Sequence, residues 1–92
     1  MAKKSNTPLI SIVLPVYNAA EYLAETLDSI VRQTFRDYEL LVVNDGSTDG
    51  SQNILEAYAK RDDRIVVIQQ KNKGLVTTLN ETIAKAKGAY IA

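Results

Sequence analysis

Three stretches carry side chains that could handle a ligand, and each lies just past an apolar run: "PVYN" (15–18), "NDGSTD" (44–49) and "QQKNKG" (69–74). If the runs are parallel strands, these stretches gather on one edge of a sheet, where open α/β folds bind their ligands. Tyr17 and Asp45 then stand on neighbouring strand ends. An aromatic face beside a carboxylate suits a nucleobase: the ring stacks and the carboxylate accepts from a base N–H. Such stacking contributes about 1–3 kcal/mol per base. The same letters also have plain structural readings. Asn18 and Asp49 read as helix caps, Gly46 and Gly50 as turn glycines, and Tyr17 as a core aromatic with a solvated hydroxyl. Asp49 already supplies a cap, so Asp45 is a second acid for which a ligand role and a turn role both stand.

Other motifs in the chain carry less. Asp45, Ser47, Asp49, Gly50 and Glu56 nearly spell a calcium loop. That loop needs a helix on each side, and "YELLVV" before it is strand-like. There is no G-x-G-x-x-G and no G-x-x-x-x-G-K-[ST], so neither a dinucleotide fingerprint nor a P-loop is present. Asp62-Asp63 resembles a metal pair but precedes the third apolar run, on the opposite edge. Asn80-Glu81-Thr82 is a glycosylation triplet inside an expected helix. With no cysteine and no histidine, thiolate chemistry and the usual zinc ligands are excluded. Eleven basic and eleven acidic residues give zero net charge, so nothing draws the chain to nucleic acid or anionic lipid.

The elements that must position these groups are legible in the pattern. Four short apolar runs, "LISIVLPV" (9–16), "YELLVV" (38–43), "RIVVIQ" (64–69) and "AYIA" (89–92), read as strands, and three of them, rich in Ile and Val without polar alternation, as strands buried on both faces. Helical spacing appears in 19–33 (Tyr22, Leu23, Leu27, Ile30, Val31), in 51–61 (Ile54, Leu55, Tyr58) and in 75–87 (Leu75, Leu79, Ile83, Ala86). Asn18 with Glu21, and Asp49 with Gln52, fit capping boxes, and Lys85, Lys87 and Gly88 fit a helix C-terminus. The order β-α-β-α-β-α-β predicts a doubly wound, three-layer α/β/α fold with a mostly parallel sheet. Residues 1–8 read as a tail and 9–92 as one unit. The apolar run at 9–16 is too short and too interrupted for a leader, and nothing approaches the roughly 20 apolar residues of a membrane span. The expected compartment is the cytoplasm.

With these pieces placed, "SIVLPVYNAAEYLAETLDSIVRQTF", "YELLVVNDGSTDGS" and "NKGLVTTLNETIAKAKGAYIA" resemble the start of a family 2 inverting glycosyltransferase of the GT-A fold. The likeness covers nearly everything from Leu9 to Ala92. It implies a nucleotide-sugar donor, usually UDP-linked, with Tyr17 presenting its ring to the base and Asp45 accepting from the uracil ring N–H. Backbone of Pro15 and Val16 would line the same pocket, and Asn72 and Lys73 would approach the base, ribose or phosphates. Many members carry Ala-Arg-Asn on the third helix. Here those positions read Thr78-Leu79-Asn80, so the arginine is absent and Lys73 is its expected stand-in.

The resemblance further implies Mg²⁺ or Mn²⁺ on the diphosphate, held by an Asp-x-Asp that lies past residue 92, as does the catalytic base. The expectation is therefore a donor-binding half that is inactive alone. Its acceptor would be a glycan or lipid-linked saccharide, with the full protein at most peripheral at the cytoplasmic membrane face. The implied strand order, 3-2-1-4, leaves the fourth strand at an edge, where a second copy is expected to pair. A stand-alone nucleotide-binding or interaction module is the alternative.

Overall fold

The structure is a computed structural model that describes residues 8–33, 36–88 and 90–91, the last two by backbone alone. Of the expected tail, residues 1–7 lie outside the described residues, and Pro8 is already buried. The elements run β1 (Ile10–Val16), α1 (Ala20–Val31), β2 (Tyr38–Asp45), α2 (Ser51–Arg61), β3 (Ile65–Gln70), α3 (Leu75–Lys85) and β4 (Tyr90–Ile91). The strands form one sheet in the order β3-β2-β1-β4, and every pair is parallel. The doubly wound expectation and the expected strand order both hold. Of the expected fourth strand, Ala89 and Ala92 lie outside the described residues.

The path of the chain explains the layers. It steps from β1 to β2 to β3 in one direction, so right-handed crossovers place α1 and α2 on one face. It then reverses to reach β4, which carries α3 to the other face. Accordingly α1 and α2 touch each other, while α3 lies against β1 and β2. Strand side chains alternate between faces. Leu40 and Val42 join Leu23, Leu27 and Leu55 in the core beneath α1 and α2, with Val16, Tyr38 and Ile65 at its ends. Leu41 and Val43 are buried on the opposite face.

Among the strands whose side chains are described, burial on both faces holds for β2 alone. β1 is mostly half-buried, and Val66 on the edge strand β3 is exposed. The larger departure is α3. Its expected stripe holds only in part: Leu79 and Ala86 are half-buried, but Leu75 and Ile83 are exposed, as is Val76, and the fully buried positions are Thr78 and Thr82. The strand face beneath α3 is mixed: Leu41 and Val43 are buried there beside Ser11, Glu39, Asp45 and Gln70, and the Thr78 hydroxyl accepts from Gln70.

The expected caps are also rearranged. Asn18 is not the α1 cap; it takes a left-handed φ of 49°, and the N-cap position falls to Ala19, which makes no side-chain cap bond. Gly50 occupies the N-cap position of α2, and Gln52 does not reach back to it but bonds Asn44 and Glu56. Gly88 does not close α3, which ends in extended backbone at Ala86. Gly88 instead permits close approach, since a Cβ there would lie 2.5 Å from the backbone nitrogen of Ser11. Its N–H donates to Ser11 Oγ at 2.8 Å, and the Lys87 N–H donates to Glu39 Oε2 at 2.7 Å, seating the turn into β4.

Candidate functional site

The carboxyl ends of β1, β2 and β3 surround a pocket of about 290 Å³ lined by Pro15, Val16, Tyr17, Asp45, Asn72, Gly74 and Leu75. That is near the lower bound of small-molecule sites, which run from about 300 to 1,000 Å³. Tyr17 is 56% exposed and Leu75 61%, so an aromatic ring and an aliphatic side chain stand open at the pocket. Asp45, 5% exposed, supplies the carboxylate.

Asp45 is buried because its neighbours satisfy it. Oδ1 accepts Gln70 Nε2–H and the Lys73 backbone N–H, both at 2.8 Å, and Oδ2 accepts the Gly74 N–H at 3.1 Å. The Gln70 bond is the leading cause that holds the Asp45 carboxyl below the usual aspartate range. The Lys73 N–H, the Thr78 hydroxyl and the Gly74 N–H act in the same sense, and burial opposes them. Gly74 donates from a φ of 88°, a left-handed conformation that favours glycine. Gly46, with φ 77°, lets the loops close: a Cβ there would lie 2.7 Å from the Asn72 backbone nitrogen. Asn72 Nδ2–H then donates to the Asp45 carbonyl at 3.2 Å.

A second set of bonds joins the β1–α1 loop to the β2–α2 loop. The Thr48 N–H donates to Asn18 Oδ1 at 2.7 Å, and the Asn18 N–H to Ser47 Oγ at 2.9 Å. The Ala19 N–H donates to Ser51 Oγ at 3.2 Å. Asp49 accepts at both helix starts: Oδ2 takes the Ala20 N–H of α1 at 3.1 Å, and Oδ1 takes the Ser51 N–H at 2.9 Å and its hydroxyl at 2.6 Å. The Ser51 hydroxyl is the main cause of its lowered pKa. Asp49 thus accepts from the starts of both helices from the position before the α2 N-cap, Gly50, rather than as the expected N-cap itself. These bonds fix the loop carrying Tyr17 against the loop that follows Asp45.

Of the residues named from sequence, Pro15, Val16, Tyr17, Asp45 and Asn72 come together at the pocket. Lys73 does not line it. Its backbone N–H holds Asp45, while its ammonium pairs with Glu81 Oε1 at 2.9 Å on α3. Gly74, Leu75, Gln70 and Thr78 were not foreseen. Gln70 was findable: once β2 and β3 are aligned at their carboxyl ends, it is the register partner of Asp45.

The letters that mimic a calcium loop do not converge. Asp45 faces the β3–α3 loop and Asp49 faces α1, while Glu56 accepts from Gln52 within α2. Asp62 is tied to Arg64, with Arg64 Nη2 to Asp62 Oδ2 at 2.6 Å.

The family model for glycosyl transferase family 2 matches residues 11–92. The chain belongs to that family. Among its relatives, EpsJ of Bacillus subtilis (strain 168), named an uncharacterized glycosyltransferase, is 50% identical over 84 residues. Those residues are 91% of this chain and 24% of EpsJ. In three dimensions, S. aureus TarS 1–349 matches with a TM-score of 0.81 and 31% identity, over 90% of this chain and 26% of that one. The mannosyltransferase PcManGT of Pyrobaculum calidifontis, in complex with GDP-Man and Mn²⁺, matches with a TM-score of 0.78 at 25% identity. The match covers 89% of this chain and 25% of PcManGT. The fold is thus that of the GT-A glycosyltransferases, and this family 2 chain spans about a quarter of the relatives it matches.

A divalent cation, present in the PcManGT complex, finds no fitting donor set here. Among the described residues no group of three or more Asp, Glu, His or Cys could hold a metal ion. The carboxylates nearest the pocket, Asp45 and Asp49, already accept N–H and O–H donors.

Proposed function

We propose that this chain binds the nucleotide of a nucleoside-diphosphate sugar, as the donor-binding part of an inverting glycosyltransferase. The observation that carries the reading is the pocket itself, a carboxylate fixed by three N–H donors beside an open tyrosine ring. A planar base fits there by stacking on Tyr17 and donating a ring N–H to Asp45. Pro15 and Val16 shape the wall, and Asn72 stands where the base gives way to the ribose. Lys73 would reach the phosphates only by leaving Glu81, an exposed pair whose breaking costs little, about 0–1 kcal/mol. A UDP-linked donor is the form we favour.

In the whole protein, an acceptor hydroxyl on a glycan or lipid-linked saccharide would attack the anomeric carbon. The bond from that carbon to the diphosphate oxygen breaks, the new glycosidic bond forms on the opposite face, and the hydroxyl proton passes to a base. This chain's residues bind and orient the nucleotide. The base and the Mg²⁺ or Mn²⁺ ligands are assigned to other parts of the protein, so residues 1–92 alone should not turn over donor. We place the full protein in the cytoplasm, with no nucleic-acid partner. Pairing of two copies through β4 is the expected association, and a solution mass of one monomer at micromolar concentration would contradict it.

Titrating the chain with UDP, with and without Mn²⁺, and mapping the NMR shifts tests the reading. Weak binding is expected, about millimolar or −4 kcal/mol, with shifts centred on Tyr17, Asp45 and Asn72 and little dependence on Mn²⁺. An absence of localised shifts at high UDP would show that the nucleotide is held elsewhere.

A further inference from the structure

Gln70 ends β3 beside Asp45, and its Nε2 donates twice: to Asp45 Oδ1 at 2.8 Å and to Thr78 Oγ1 at 2.9 Å. A primary amide nitrogen has two hydrogens, and with both engaged the group has one orientation. Thr78 is fully buried on α3 and is itself braced, since its carbonyl accepts the Thr82 hydroxyl at 2.6 Å. An ionised carboxylate offers about four acceptor positions. Three are taken by direct hydrogen bonds, from Gln70 and Lys73 on Oδ1 and from Gly74 on Oδ2, and the Thr78 hydroxyl also acts on the carboxylate. Oδ1 is full. The open position belongs to Oδ2, on a residue that lines the pocket.

We propose that Gln70, braced by Thr78, is a positioning residue that makes Asp45 a single-acceptor reader. It would select a base presenting one isolated ring N–H, such as uracil, over one presenting two adjacent N–H donors, such as guanine. The inference rests on the donor-binding reading of the same pocket. Two adjacent donors are gripped best by a carboxylate open at both oxygens, as in paired, fork-like contacts. Here the second oxygen is closed. Hydrogen bonds led by that of Gln70, against burial, also keep the Asp45 carboxyl ionised. Of the charged groups on the adjoining loop and helix, Lys71, Lys73, Glu81 and Lys85, Lys73 and Glu81 are paired with each other.

The test titrates UDP and GDP into the wild-type chain, Gln70→Leu and Thr78→Val. The Asp45 carboxyl carbon is followed by NMR as the pH is lowered. The wild type should prefer UDP and should show Asp45 titrating below free aspartate. Gln70→Leu should raise the Asp45 midpoint and erode the UDP preference by roughly tenfold, the equivalent of about 1.4 kcal/mol. Thr78→Val, which keeps the side-chain shape, should move both readouts the same way by less, and it serves if Gln70→Leu does not fold. A wild type that prefers UDP, with neither readout changed in the folded variants, overturns the positioning role and leaves the donor reading intact. A wild type that binds neither nucleotide overturns the donor reading and the selection with it.

Discussion

On one face of the sheet α1 and α2 bury Leu23, Leu27 and Leu55 against Leu40 and Val42; on the other, α3 turns Thr78 and Thr82 inward and leaves Leu75, Val76 and Ile83 in solvent. The first face is an ordinary apolar interface, and its work is stability. The second buries Leu41 and Val43 but combines them with polar groups, so that Asp45, Gln70 and Thr78 are hydrogen-bonded beneath the pocket. A leucine in place of Thr78 would leave one hydrogen of the half-buried Gln70 without its partner, at a cost of about 0.5–1.5 kcal/mol. The difference teaches that α3 is shaped by the site it supports and less by core packing.

The sharpest way to break this contrast is Leu27→Ala. Leu27 is fully buried in the α1/α2 face, and its truncation should cost about 2–5 kcal/mol, read as a lower denaturation midpoint or outright unfolding of so small a chain. A loss well below that would mean the apolar face is not the main source of stability. Gly46→Ala should come next. Its φ of 77° and the 2.7 Å approach to Asn72 oppose a side chain, a strain of about 1–3 kcal/mol, and the displaced loop should also weaken UDP shifts at Asn72.

Acid should act more gently, and on the polar side. The folded pKa values of Asp45, Asp49 and Asp62 are lowered, led respectively by hydrogen bonds from Gln70, Ser51 and Arg64. Groups with depressed folded pKa contribute stability that is complete above the unfolded value, about 3.9 for aspartate. That contribution is lost as pH falls through the lowered folded values. Thermal midpoints should therefore hold from neutral pH to about 5 and decline below about 4. The smallest effect is expected at Val76→Ser. Val76 is 72% exposed, so the change should stay within about 0.5 kcal/mol.

The apolar runs and their order disclosed the fold because three of the four strands are short aliphatic segments separated by stretches of helical spacing. Tyr17 and Asp45 were legible because both follow strands that had to be neighbours. What was missed depends on contacts between elements. Thr78 and Thr82 count as polar on a helix, so periodicity gave the inward face to Leu75, Leu79 and Ile83. Asn18 looked like a cap because its type fits one; that its Oδ1 serves the Thr48 N–H depends on how closely the two loops approach. Gln70 read as part of the stretch after the third run, and only the β2–β3 register sets it beside Asp45. Gly88 read as a helix stop, while its reason is the backbone of Ser11 pressed against it.

The most direct test of a base-reading pocket removes the phosphates. Uridine, titrated into the wild-type chain and into Asp45→Ala with the Tyr17 ring and the 72–74 amides followed by NMR, should shift those signals in the wild type and leave them unmoved in the variant. Shifts that persist in Asp45→Ala, or that appear with pyrophosphate and not with uridine, would contradict base recognition by Tyr17 and Asp45.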